Sequence, residues 1–198
     1  MTETTTTPLQ RLFEFLLYLG YAAERLVPGP DLHFESLLVA LDPEQPKTEG
    51  PPPEAQYVAQ IFFSEDILKH ADLVELQPEL ARASTLQFLL TLPLHYSGLS
   101  SQRLLEAYQL LMTCSQILPI GYLGINQEQQ VYLNYALKAE NQNIGIPLIV
   151  EILEQLGFFI QIMMPSLRAL KDSDQPLSEL VTGIEKALVG QAQVAAAG

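Results

Sequence analysis

Apolar residues near the start of the chain recur at helical spacing. They occupy positions 9, 12, 13, 16, 17 and 19, a pattern typical of an amphipathic helix. Thr7 is placed to cap this helix, and Pro8 suits its first position. The VPGP sequence at residues 27–30 ends the pattern. We therefore predict a flexible N-terminus over residues 1–7 and a helix from residue 8 to about Leu26.

Three later segments alternate apolar and polar residues with the period of half-buried strands. We expect strands over residues 31–41, 56–64 and 85–94. Residues 43–56, between the first two, are rich in proline and lack large apolar side chains, which predicts an exposed loop. Residues 65–84 show no clean period and contain Pro78, so short helical turns are expected there.

The next part of the chain predicts a second amphipathic helix followed by a β-hairpin. The helix begins at serine caps and carries apolar residues at 104, 105, 108, 111 and 112. Strands are then expected near 118–125 and 131–138, around the polar turn NQEQQ. Val131 and Leu133 lie on an apolar face of the second strand, opposite the wetter Tyr132 and Asn134, as in an antiparallel sheet.

A long apolar helix closes this pattern. Asn143 can cap it, and apolar residues recur from there to residue 170. Pro165 is expected to kink or divide the helix. One more short helix is expected over residues 177–190, before a loose, uncharged tail.

The predicted order is α-β-β-β-α-β-β-α with an extra C-terminal helix. Runs of strands between single helices favour an α+β fold with a mostly antiparallel, five-stranded sheet. The helices should cover one face of that sheet. We predict a single domain over residues 8–171, followed by the C-terminal helix and loose tail over 172–198.

This order, ending in a hairpin and a long helix, resembles the type III secretion chaperone-like fold, and most of all its YbjN-type branch. The resemblance rests on "LLEAYQLLMTCSQILPIGYLGINQEQQVYLNYAL" followed by "IPLIVEILEQLGFFIQIM". It is one of topology and pattern rather than of signature residues. It implies a small acidic protein that often dimerises and holds a segment of another protein, and it carries over no catalytic residue. The proline-rich loop, the 65–84 segment and the appended helix depart from the pattern.

Charge narrows the set of partners. The chain has 23 acidic and 10 basic residues among 198, a formal net charge of −13. Such a chain repels nucleic acid and anionic lipid and attracts basic surfaces. There is no run of eighteen uncharged apolar residues, so no membrane span is expected. Glu3, Glu14 and Glu24 interrupt any likeness to a signal peptide, which predicts a cytoplasmic protein.

The sequence offers little catalytic or metal-binding chemistry. The single cysteine, Cys114, falls among apolar residues of the second helix and is expected to be a buried structural thiol. His33 and Glu35 would share a strand face and could form an acid–base pair, though a solvated strand face explains them as well. Glu151 and Glu154 fit a solvated helix face. Gly121 and Gly124 meet neither phosphate-loop pattern and fit strand twist or a bulge. We expect no cofactor, no catalytic residue and no metal site.

The most informative feature is a Phe- and Met-rich stretch of the long helix. The helix is apolar around much of its circumference near residues 156–164, so it must bury more than one side. One side can meet its own sheet, and the other needs the C-terminal helix, a second copy or a client segment. The candidate partner-binding residues are Phe158, Phe159, Ile162, Met163 and Met164, followed by Tyr122 and Tyr132 of the hairpin.

These residues favour a non-catalytic interaction protein, chaperone-like or an assembly factor, that binds a protein segment and has the capacity to form a homodimer. One alternative is a module that holds a small apolar ligand between helix and sheet. Another is an enzyme whose site is assembled from scattered residues such as His33, Glu35 and His95.

Overall fold

The structure, a computed structural model, describes residues 6–30, 32–41, 57–70, 83–140 and 142–197. Five helices and six strands follow one another along the chain: α1 (Pro8–Tyr18), β1 (Ala23–Leu26), β2 (Ser36–Ala40), β3 (Val58–Phe63), α2 (Ser64–His70), β4 (Ala83–His95), α3 (Ser101–Ile117), β5 (Tyr122–Ile125), β6 (Gln130–Glu140), α4 (Ile146–Asp172) and α5 (Leu177–Ala197). The strands form one sheet in the order β1-β2-β3-β4-β6-β5. The α+β class and the antiparallel sheet are confirmed, whereas the predicted count of five strands and their order are wrong in detail.

The extra strand, β1, replaces the end of the predicted first helix. Thr7 caps α1 by accepting a hydrogen bond from the Gln10 N–H, as expected. The helix stops at Tyr18 because Gly20 adopts φ +88° and the chain turns away there. The Gly20 and Tyr21 N–H groups donate to the carbonyls of the preceding turn, a Schellman motif. Residues 23–26 then pair antiparallel with β2 instead of continuing the helix.

Strand β2 is also shorter than the sequence predicts. It begins at Ser36, so His33 and Glu35 precede the strand rather than share a strand face. The loop predicted over residues 43–56 lies outside the described residues. Strands β1 to β4 form an antiparallel meander. Alternate residues are buried in β2, β3 and β4, whereas β1 has no buried residue. The buried positions of β2, β3 and the first part of β4 are Leu37, Val39, Ala59, Ile61, Phe63, Leu86, Phe88 and Leu90.

The contacts within the chain divide it into two compact units. The first contains residues 1–91 and 134–154, and the second contains residues 92–133 and 155–198. In the first unit α1 packs on β1 and β2, and in the second unit α3 packs on β5 and on α5. The single domain predicted over residues 8–171 stays a prediction.

A buried carboxylate fixes helix α2 in the first unit. Within the segment predicted as short helical turns, the structure forms α2 up to His70, and residues 71–82 lie outside the described part. Glu65 accepts hydrogen bonds from the Thr85 N–H at 3.0 Å and from the Gln142 side chain at 3.3 Å. Ser84 Oγ accepts the Gln142 N–H at 2.8 Å. Because Glu65 is only 9% exposed, these bonds replace much of the hydration that its carboxylate loses on folding.

Helix α4 runs unbroken through Pro165, so the predicted division does not occur. Among the described residues, α4 is the one helix that is long and apolar enough to cross a membrane, judged by length and composition alone. The core helix of a soluble protein passes the same test. Within the most apolar 18-residue stretch of α4, 44% is buried inside the protein. Helix α5 continues to Ala197, beyond the end predicted near residue 190, and the loose tail stays a prediction.

Candidate functional site

All seven predicted partner-binding residues lie in the second unit. Tyr122 and Phe158 are exposed, at 49% and 40% of their accessible surface. Tyr132 and Phe159 are half-buried. The other three, Ile162, Met163 and Met164, are buried within the chain. A partner that approaches this unit therefore meets the two tyrosines and the two phenylalanines first.

The two tyrosines belong to a small aromatic arrangement, the hairpin cluster, formed by Tyr122, Gly124 and Tyr132. The two rings meet nearly edge-to-face, with centroids 6.3 Å apart and an interplanar angle of 77°. The Tyr132 ring lies directly on Gly124, where an added Cβ would come within 2.5 Å of the ring Cζ. Glycine leaves room for the ring at this position, and any larger residue would have to displace the end of the Tyr132 side chain.

The turn of this hairpin is held by its own side chains. Asn126 Oδ1 accepts hydrogen bonds from the backbone N–H groups of Glu128 and Gln130 at 3.0 and 2.9 Å. Gln129 takes the left-handed conformation at φ 60°. The Gln130 side chain donates to the Leu92 carbonyl of β4 at 3.1 Å. The aromatic cluster is thus carried on a preorganised hairpin, which reduces the entropy lost when a partner binds.

Helix α3 occupies part of the outer edge of β5. The Leu123 N–H donates to Ser115 Oγ at 2.9 Å, and that hydroxyl donates to the Leu111 carbonyl at 2.8 Å. Covering an edge strand with a helix is a common way to block the addition of another strand. Part of the β5 edge is therefore covered, whereas Tyr122 on the side-chain face of the hairpin stays exposed.

A second exposed aromatic lies on α4. Phe158 packs against Phe159 with ring centroids 5.2 Å apart and an interplanar angle of 79°. Phe159 is the more buried of the two, and it supports the exposed ring from within the same helix.

Helix α3 carries an exposed stripe of apolar residues. The sequence analysis counts these residues in the apolar pattern of an amphipathic helix, which suggests burial, but the structure leaves them exposed. Leu105, Tyr108 and Met112, the α3 stripe, are 52%, 47% and 65% exposed. The buried side of α3 is formed instead by Ala107, Leu110, Leu111 and Cys114. The spacing of 105, 108 and 112 marks a second helical stripe opposite the buried one, although the pattern alone does not show which of the two stripes is buried.

The alternative of an enzyme with a scattered acid–base site relied on His33, Glu35 and His95. Of these, Glu35 has contacts that give it a structural role. Glu35 accepts hydrogen bonds from Arg25 Nε at 2.6 Å and from Thr7 Oγ1 at 2.8 Å, so its carboxylate joins β1 to the start of α1. His95 is exposed at the end of β4. An ion pair of this kind stabilises local structure and leaves the carboxylate poorly placed to act as a general base.

Cys114 is buried, and burial raises the pKa of its thiol to about 12. A thiol with such a pKa holds almost no thiolate at neutral pH and is a poor nucleophile. Among the described residues, no three His, Cys, Asp or Glu side chains are grouped to bind a metal ion.

A small cleft in the first unit is lined by Pro8, Arg11, Asn143, Ile144 and Ile146. Its volume of about 60 Å³ is far below the roughly 300–1,000 Å³ of sites that enclose small organic ligands. This cleft gives no support to a ligand-binding function.

Comparison with known proteins adds no relative: no protein-family model matches the chain, and no curated protein matches it. The structure defines the class, an α+β protein with a six-stranded antiparallel sheet.

Proposed function

We propose that this protein is a non-catalytic interaction module, chaperone-like or an assembly factor, that binds a segment of a partner protein in the cytoplasm. The observation that carries the proposal is the hairpin cluster, in which the exposed Tyr122 packs against the half-buried Tyr132 on a hairpin whose turn is held by side-chain hydrogen bonds. Tyrosines contribute strongly to protein interfaces because each buries a large apolar area, loses little rotamer freedom and keeps a polar hydroxyl.

Phe158 supports the same role from helix α4. It is large, exposed and oriented by its contact with Phe159. Exposed aromatic side chains that are already ordered lose little entropy on binding, so they are suited to anchor an apolar side chain of a partner. Tyr122 and Phe158 are the two anchors that we expect to contribute most.

The net charge of −13 selects among partners of similar apolarity. A segment with basic residues near its apolar anchors is attracted to the acidic surface, whereas acidic segments and nucleic acids are repelled. The expected partner is therefore a protein segment with apolar anchors and basic flanks.

A photo-crosslinking experiment tests the proposal. A photoreactive phenylalanine derivative replaces Tyr122 in one variant and Tyr18, an 85% exposed tyrosine of the first unit, in the control. We expect position 122 to label one short segment of a protein, which mass spectrometry identifies, and position 18 not to label it.

The identified segment is then synthesised and titrated into purified protein. We expect Tyr122→Ala to weaken binding at least tenfold, since an aromatic anchor contributes about 2 kcal/mol or more at an interface. Equal labelling from positions 122 and 18, or unchanged affinity of Tyr122→Ala, would rule out the hairpin cluster as the binding surface.

A further inference from the structure

The exposed side of α3 carries no charge along its whole length. Its exposed residues are Ser101, Gln102, Leu105, Tyr108, Gln109, Met112 and Gln116. The two charged residues of the helix, Arg103 and Glu106, lie to the side and pair with each other at 2.6 Å. Arg103 also donates to the Ser173 carbonyl at 2.6 Å. Glu106 also accepts a hydrogen bond from the Gln102 side chain at 3.3 Å, so both charges lie beside the α3 stripe rather than on it.

The other long helices differ from α3 in this respect. Helices α1, α4 and α5 each expose both acidic and basic side chains. These are Arg11 and Glu14 on α1; Glu151, Glu154 and Lys171 on α4; and Glu179, Glu185 and Lys186 on α5. In a protein with a net charge of −13, a neutral apolar helix face is a distinctive surface.

The residues of this face are spaced to meet another helix. Leu105 and Met112 are seven residues apart, two helical turns, and Tyr108 lies between them on the same side. The stripe is therefore about 10 Å long. Gln102, Gln109 and Gln116, again seven residues apart, form a row beside it. Seven-residue spacing of this kind keeps a seam of side chains facing a neighbouring helix.

We propose that the α3 stripe is the contact between two copies of this protein, which pair through antiparallel α3 helices about a two-fold axis near Tyr108. Leu105 of each copy then faces Met112 of the other. A two-fold contact requires a surface that complements itself. The glutamine row meets that requirement, because an amide both donates and accepts hydrogen bonds and can pair with an identical amide.

Charge decides between a second copy and a basic partner. Two copies that each carry −13 repel one another wherever acidic side chains meet, and on α3 none do. A basic partner would gain from acidic side chains that the other helices offer and this face lacks. The proposal goes beyond the binding of a client segment and rests on residues outside the hairpin cluster, so either proposal can fail alone.

Light scattering over a range of protein concentrations tests the pairing. We expect the wild type to reach twice the monomer mass of 22.0 kDa and both Tyr108→Glu and Met112→Glu to remain monomeric with unchanged circular dichroism. The matched control is Tyr18→Glu, which places the same charge at a more exposed tyrosine and should leave the dimer intact. A wild type that stays monomeric at its highest soluble concentration, or a dimer that survives both α3 substitutions, overturns the proposal.

Cysteine crosslinking gives an answer even where a glutamate variant fails to fold. Tyr108→Cys places two thiols beside the proposed two-fold axis, and mild oxidation should link the copies. The native Cys114 is buried with a pKa of about 12 and does not compete. The control is Tyr18→Cys. A mixture of Leu105→Cys and Met112→Cys should crosslink more than either variant alone. Crosslinking of Tyr108→Cys no greater than that of the control overturns the proposal.

Discussion

Two buried side chains of the second unit, Tyr96 and Cys114, make the stability of the fold sensitive to alkaline pH. Tyr96 is fully buried, and its hydroxyl donates to the Leu167 carbonyl at 3.0 Å. Burial raises the pKa of Tyr96 above its ordinary value of 10.0, and burial also raises the pKa of Cys114 from 9.0 to about 12. Both groups are therefore held in the neutral form by the folded state.

A folded-state pKa above the unfolded value means that stability is present at lower pH and is lost as the pH rises. We expect the free energy of unfolding to fall once the pH exceeds 9, and more steeply above 10, by up to about 1.4 kcal/mol per pH unit for each group. Denaturant titrations from pH 8 to 11 measure this slope. Tyr96→Phe should flatten it above pH 10, and an equal slope in that variant would contradict the assignment.

Gly124 is a second position where one residue decides local structure. Gly124 lies under the Tyr132 ring because the two strands of the hairpin pair with each other. The sequence shows that a glycine lies in a strand, but it does not show which side chain lies over that glycine. The interpretation of Gly124 as an aid to strand twist was incomplete for that reason.

Gly124→Ala should displace the Tyr132 ring and destabilise the fold by about 1–3 kcal/mol, the usual cost of overpacking. Urea unfolding measures the loss, and near-ultraviolet circular dichroism reports the tyrosines. The control is the same substitution in a Tyr132→Leu background, where no ring meets the new methyl group. A loss of the same size in that background would show that the contact is not the cause.

At the scale of elements, the start of the chain shows why a helix was predicted too long. Apolar residues continue past Tyr18 at spacings that fit either a helix or a strand, so the apolar pattern alone does not show that the helix ends there. The actual end is set by Gly20 in the left-handed conformation, which frees residues 23–26 to pair with β2.

Gly20→Ala should therefore destabilise the protein by about 1 kcal/mol, because a side chain is strained at φ +88°. The matched control is Gly29→Ala, a position without positive φ and with nothing within 4 Å of the added methyl group. Urea titration of both variants gives the comparison. Equal stabilities would contradict the role given to Gly20.

Helix α3 shows a different limit of sequence reasoning. Large apolar residues lie on both of its sides, so the pattern predicts the helix well but cannot tell which stripe is buried. That choice is made by tertiary packing on β5 and α5. The hairpin and the long helix α4 were predictable, because the hairpin pattern is apolar on one side and the α4 pattern is strongly apolar. The exposure of Leu105, Tyr108 and Met112 was not.

At the scale of the whole molecule, the fold class followed from the alternation of elements, and the proposed function rests on surfaces rather than on reactive groups. The α+β class and the antiparallel sheet are confirmed. Of the predicted binding residues, the structure places Tyr122 and Phe158 at the surface and buries Ile162, Met163 and Met164. Periodicity indicated that α4 buries several sides, but the extent of that burial depends on contacts distant in sequence.

The net charge of −13 gives a prediction about salt. In the proposed dimer, two acidic copies repel each other, while the α3 stripe would hold them through uncharged side chains. Added salt screens the repulsion, with a screening length of about 10 Å at 0.1 M. The dimer should therefore strengthen as salt rises, as measured by sedimentation at low and high ionic strength. Dissociation by salt would indicate a contact made by opposite charges and would contradict the neutral interface.

The position of β6 in the sheet has a consequence for synthesis of the chain. Strand β6 lies between β4 and β5, although it is made last of the three. Until Glu140 leaves the ribosome, the 13-residue, largely apolar β4 has no neighbour on one side. Those 45 residues after His95 take about 2–9 s to synthesise at typical rates of about 5–20 residues per second. During that interval the nascent chain is most prone to aggregate, and binding of β4 by a chaperone would protect it most effectively.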